Sequence, residues 1–175
     1  MKIVAICGSL RAASSNLALL RAAAAVAPAG MELAIYEGLG GLPHFNPDLN
    51  GDDPPATVRE LRDVLIAADG VVISSPEYAH GIPGALKNAL DWLVSTGELA
   101  GKPVVLINAA TSGGERGQAA IIQTLSAMQW KVLTDASLLA PFVHKKIDAH
   151  GNVTDPAILA ALRSSLGALA KAIGG

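Results

Sequence analysis

Charge is scarce in this chain and cysteine scarcer. Of 175 residues only 16% are Asp, Glu, Lys or Arg, and the formal net charge is −2. That balance offers no basic face for nucleic acid or for an anionic membrane, so neither is expected as a partner. A single cysteine, Cys7, excludes an internal disulfide and suits a reducing, cytoplasmic setting. Ending an apolar strand, it reads as a small buried hydrophobe, not a nucleophile. Phe, Tyr and Trp occur only twice each. No apolar run reaches bilayer-spanning length without a glycine, proline or charge, so no membrane span is expected. Met1 and Lys2 lead straight into a strand, without a signal-peptide pattern. The four histidines, His44, His80, His144 and His150, are scattered, and no metal site is expected. Neither GxxxxGK(S/T) nor GxGxxG occurs, which excludes a nucleoside-triphosphate P-loop and a dinucleotide fingerprint.

What is present is apolar and alternating. Half of the residues are hydrophobic (51%), enough for one globular domain spanning residues 1–175. Runs at Lys2–Cys7, Met31–Tyr36, Gly70–Ser75 and Pro103–Asn108 read as strands, with a weaker fifth at Lys131–Ala140. Nearly continuous apolar strands suit a parallel sheet covered on both faces. Helical patterns lie near Ser15–Val26, Pro55–Ala68, Pro83–Ser95, Gln118–Met128 and Asp155–Ile173. The expected fold is therefore α/β: a five-stranded, doubly wound parallel sheet with helices on both faces. In such sheets ligands bind beyond the carboxyl ends of the strands, where strand order reverses. The stretch Glu37–Pro54, rich in Gly, Pro, Asn and Asp, is longer than a connection needs and is a candidate lid.

The loop after the first strand, "GSLRAASSN", gathers Ser9, Arg11, Ser14, Ser15 and Asn16 at a helix N-terminus. Unpaired N–H groups, hydroxyls and a guanidinium together make an anion site of the kind a phosphate monoester needs. For Ser14 or Ser15 taken singly, an ordinary helix cap is the plain alternative. After the third strand comes "PEYAHGIPGALKNALDW", Pro76 to Trp92. Tyr78, beside Gly81 and Pro83, is placed to wall a flat heterocycle, with backbone groups of Glu77–Gly81 bonding its edge; an ordinary surface aromatic is the plain alternative. Lys87 and Asp91 read as helix charges, Asp91 with an interface as the alternative. Trp92 reads as core or as an interface anchor. A third loop, Asn108–Gly117, brings Thr111, Ser112 and the Gly113–Gly114 pair, where backbone can approach a ligand closely.

"GSLRAASSN", "SPEYAHGIPGALKNALDW" and "TSGG", in this order and spacing, resemble the NADPH-dependent FMN reductase family of flavodoxin-like proteins. The resemblance covers nearly the whole chain. It implies non-covalent FMN, with its phosphate held by the first loop. It further implies that the backbone from Pro76 through Glu77, Tyr78 and Ala79 to His80 frames the isoalloxazine, with Ser112 and Gly113 closing the other side. NADPH is the implied co-substrate and a quinone, azo compound, chromate or free flavin the implied acceptor, in a ping-pong cycle. A homodimer or homotetramer built partly on the helix carrying Asn88 and Asp91 is also implied. No side chain is expected to act as an obligatory acid or base. The alternative is a non-catalytic FMN electron carrier of the flavodoxin type, which a net charge of −2 does not favour.

Overall fold

The computed structural model describes residues 1–110 and 113–175. Strand β1 (Lys2–Cys7) leads through helix α1 (Ser15–Ala25) to β2 (Glu32–Tyr36), and α2 (Ala56–Ile66) leads to β3 (Gly70–Ser74). Then follow α3 (Gly84–Leu93), β4 (Pro103–Ala110) and α4 (Glu115–Ala127). The chain ends with β5 (Lys131–Val132), β6 (Leu138–Pro141) and α5 (Pro156–Gly174). The strands form one parallel sheet in the order β2-β1-β3-β4-β5, and β6 also pairs with β4. This is the flavodoxin-like order, and it reverses direction between β1 and β3.

The two-residue period of a strand divides the core. Ile3, Ala5 and Cys7 face one side with Val72, Val105 and Ile107, where α1 and α5 cover them. Val4 and Ile6 face the other side with Val71, Ile73, Val104 and Leu106, under α2, α3 and α4. α3 shows the helical counterpart: Leu86, Ala89, Leu90 and Leu93 recur at helical spacing and are all buried. Fully burying each such leucine contributes roughly 1.5–3 kcal/mol. Among the described residues α5 is the one helix long and apolar enough to cross a bilayer. Its Ile158, Leu162, Leu166 and Leu169 are instead buried in the core beside β1 and β4.

Three features depart from the sequence reading. The fifth strand is broken into β5 and β6 by a 3-10 turn at Thr134–Ala136. There the Leu106 N–H donates to Ser137 Oγ (3.0 Å), so a side chain replaces one rung of the ladder. α4 begins at Glu115, ahead of Gln118, because Gly113 and Gly114 turn the chain with φ of 68° and 108° just before it. The Glu37–Pro54 segment is a strap across α3. Asn88 Nδ2 and Trp92 Nε1 both donate to the Pro43 carbonyl (2.9 and 2.8 Å), and the Phe45 N–H donates to Asn88 Oδ1 (2.7 Å). Phe45 meets the Trp92 ring edge-on at 5.1 Å. Trp92 is fully buried within the single chain. Its core alternative therefore holds, and it is not an exposed anchor for a second copy.

Candidate active site

At the reversal point the loops after β1, β3 and β4 enclose a cleft of about 420 Å³. Close approach of the first two loops depends on Gly8. Its N–H donates to Ser74 O (2.8 Å), and a Cβ there would lie 2.6 Å from Ser75 Oγ. Ser9, Arg11, Ser14, Ser15 and Asn16 line one end of the cleft. Ser14 is the N-cap of α1, its Oγ accepting the Leu17 N–H at 3.4 Å. The Ser15 and Asn16 N–H groups have no acceptor among the described residues, and the Arg11 guanidinium has no ion pair or hydrogen bond there. Donors without acceptors at a helix N-terminus suit a phosphate.

Asn16 is employed differently from its neighbours. Buried, its Oδ1 accepts from Ser74 Oγ and from the Ala109 N–H, both at 2.9 Å, and its Nδ2 donates to Ala109 O at 3.4 Å. It rivets α1 to the ends of β3 and β4, although it also lines the cleft. Asn108 repeats the device between β3 and α4. The Ser75 N–H donates to its Oδ1 (2.8 Å), and its Nδ2 donates to Gln118 Oε1 (3.0 Å).

Pro76, Glu77, Tyr78, Ala79 and His80 form the opposite wall. Tyr78 and Gly81 exchange N–H···O bonds (3.1 and 2.9 Å) around Ala79 and His80, whose φ values are 49° and 63°. Two consecutive left-handed residues define a type I′ hairpin, which normally calls for Asn-Gly or Gly-Gly. With a Cβ at both positions the turn is strained. Glu77 holds it in place: its Oε2 accepts the Gly117 N–H of α4 (2.7 Å) and its Oε1 meets His80 Nδ1 (3.0 Å). The Gly117 N–H first, and His80 second, keep the Glu77 carboxyl below the usual carboxylate range. Residue 117 must be glycine for this approach, since a Cβ would come within 2.9 Å of Glu77 Cβ. Tyr78 stands half exposed over the cleft.

From the third loop Ala109, Ala110 and Gly114 line the cleft. Among the described residues Gly114, not Gly113, supplies the glycine wall, and Ser112 lies outside those residues. No residue of the Glu37–Pro54 strap lines the cleft among the described residues, so the lid expectation is not met. Cys7 is buried, and burial pushes its thiol pKa up, away from nucleophilic use. Lys87 and Asp91 pair with each other along α3 at 2.5 Å.

The residue that sequence reasoning missed is His144. It lines the cleft from the turn after β6, and nothing in its local sequence marks it. Only the pairing of β6 with β4 brings it there.

The arrangement has known counterparts. A family model described as NADPH-dependent FMN reductase matches residues 1–145. The quinone reductase of Escherichia coli (strain K12) is 34% identical over 179 residues, covering 99% of this chain and 95% of the relative. The NAD(P)H-dependent FMN reductase of Pseudomonas aeruginosa is 31% identical over 173 residues, covering 97% and 93%. Among solved structures, the flavoenzyme NAD(P)H:(acceptor) oxidoreductase FerB from Paracoccus denitrificans superposes with a TM-score of 0.87 at 28% identity, covering 99% and 97% of the two chains. By fold, by cleft and by these matches, the chain belongs to the NADPH-dependent FMN reductase family.

Proposed function

We propose that this protein is an FMN-dependent NAD(P)H oxidoreductase that reduces quinones and other small flat acceptors, azo compounds, chromate and free flavin among them. The observation that carries the reading is the cleft itself. N–H donors at the α1 N-terminus that have no acceptor among the described residues face an aromatic-walled hairpin across the β1/β3 reversal. Arg11, Ser9, Ser14, Ser15 and the open N–H groups of α1 would hold the phosphate. The Pro76–His80 backbone would border the ring, and the third loop, with Ser112 and Gly114, would close its other side. When bound, FMN supplies a hydride acceptor for the nicotinamide and a two-electron donor for the second substrate, in a ping-pong cycle. Tyr78 keeps one flat slot for both substrates in turn, and the Glu77–Gly117 bond keeps that wall from moving. No side chain is required to move a proton at an obligatory step.

We infer further that residues 1–175 act as one domain, in the cytoplasm, as a homodimer or homotetramer. Leu49 and Val94 support an assembly on α3. They are 49% and 62% exposed, and their neighbours Asn50 and Ser95 are hydrogen-bonded to each other at 3.0 Å.

An absorbance spectrum of the purified protein, followed by NADPH titration under nitrogen, tests the cofactor. A flavin spectrum bleached by NADPH is expected, and a colourless protein that takes up no FMN would refute it. Steady-state turnover with NADPH and a small quinone then separates the enzyme from a carrier, which would show almost none alone.

A further inference from the structure

We propose that a second cavity, beside the first loop, holds the adenosine end of the nicotinamide reductant, and that Arg21 selects there for a 2′-phosphate. The inference rests on the reductase reading above. The cavity measures about 210 Å³ and lies at the carboxyl ends of β1 and β2. It shares Ser9 and Arg11 with the cleft. Among the described residues it shares none with the Pro76–His80 hairpin or with the loop after β4. It therefore opens off the phosphate end of the cleft, away from the wall that borders the reacting ring. A dinucleotide is elongated, so with its nicotinamide on that ring its adenosine ribose must lie away from it.

Charge suits this end to a phosphate. Arg11 and Arg21 both line the cavity, and neither has an ion pair among the described residues. Arg21 is the only charged residue of α1 (SNLALLRAAAA), so no partner three or four residues along the helix can hold it. It stands one turn beyond Leu17 on the same face, and Leu17 also lines the cavity. Arg21 does not line the cleft, so the phosphate it can meet is not the one at the α1 N-terminus. The other cations of this end of the sheet are placed differently. Lys145 lies over the Phe142 ring (5.4 Å), Lys146 pairs with Asp155 (2.7 Å), and Arg116 lines neither cavity. One carboxylate, Glu37 just after β2, lines the same cavity as the arginines. A carboxylate near the end of a second strand suits the free 2′-hydroxyl of NADH, whereas a guanidinium there accommodates the 2′-phosphate of NADPH. Two arginines against one glutamate leave the cavity cationic, and their forked donors match a phosphate.

The test compares NADPH with NADH on the wild-type holoenzyme and on Arg21→Ala. The wild type should show the higher kcat/KM for NADPH. In Arg21→Ala the ratio of the two values should fall roughly tenfold, the scale of one charge-assisted contact, and Arg21→Lys, which keeps the charge, should restore part of it. A wild type that uses NADH as well or better, or an equal loss for both reductants in Arg21→Ala, overturns the proposal. Equilibrium binding of adenosine 2′,5′-bisphosphate against adenosine 5′-monophosphate reads the same contact without turnover. The bisphosphate should bind about tenfold more tightly, lose that advantage in Arg21→Ala and be displaced by NADP⁺. A bisphosphate that NADP⁺ does not displace sits in a separate nucleotide site, which also overturns the proposal. If no acceptor is reduced at all, the reductase reading fails. The bisphosphate ratio then still decides the role of Arg21: an advantage lost in Arg21→Ala supports it, and no advantage overturns it.

Discussion

Among the described residues the Arg11 guanidinium has no partner at the cleft, whereas Asn16, in the same motif, has committed its amide to the sheet. Their substitutions should therefore fail in different ways. Arg11→Ala is expected to weaken FMN binding roughly ten- to a hundredfold, the value of a charge-assisted contact, with riboflavin affinity and thermal stability unchanged. Equal loss for both flavins would remove the phosphate assignment. Asn16→Ala leaves the Ser74 hydroxyl and the Ala109 N–H buried without their acceptor, which costs on the order of 2–4 kcal/mol. A lower urea midpoint with an unchanged m-value should report it. Glu77 carries a pH consequence. Its carboxyl pKa is lowered by the Gly117 N–H, so the bond is in place above the unfolded carboxyl value and is lost only as pH falls through the lower folded one. An NMR titration should place its midpoint below the ordinary glutamate value of about 4.3. A midpoint at or above that value would mean the weld to α4 is absent in solution.

Among the elements, the Tyr78–Gly81 hairpin departs furthest from what its residues prefer. A non-glycine residue in the left-handed region costs about 1–2 kcal/mol, while a glycine there costs roughly 0.5–1 kcal/mol in chain entropy. Ala79→Gly is accordingly expected to stabilise the protein by a few tenths to about 1 kcal/mol, read as a raised urea midpoint. A loss of stability would show that Ala79 is not left-handed in solution. Tyr78→Ala should leave FMN binding nearly intact and raise KM for both NADPH and quinone severalfold, because stacking contributes about 0.5–1.5 kcal/mol beyond burial. If flavin is lost instead while KM stays normal, Tyr78 supports the cofactor and does not line the substrate slot. The strap over α3 shows how motif residues mislead. Asn88 and Trp92 lie in the segment that carries the family resemblance, yet their side chains hold Pro43 and Phe45, outside the cleft lining.

For the whole molecule, the burial of Trp92 separates folding from assembly. Trp92→Ala should cost about 3–5 kcal/mol of stability through the cavity it opens. Assembly should respond instead to Val94→Asp at the exposed end of α3. Sedimentation equilibrium at micromolar concentration should show at least a dimer for the wild type and a lighter species for Val94→Asp. A monomeric wild type would refute the assembly.

The strands were legible because a parallel strand buried on both faces is continuously apolar, and Lys2–Cys7 reads as β1 to the residue. Polar clustering in an otherwise apolar chain likewise marked the first loop, where Arg11 and the serines line the cleft. Local pattern could not say that Asn16 would turn inward, because its partners Ser74 and Ala109 become neighbours only when the sheet forms. The same holds for His144. Its place at the cleft depends on β6 returning beside β4 after a break that Ser137 makes by taking the Leu106 N–H. Sequence determined which segments are strands, helices and an anion loop, since propensity, periodicity and capping act over a few residues. Tertiary structure decided which polar groups face a ligand and which are spent on the fold, since that depends on pairings between segments far apart in the chain.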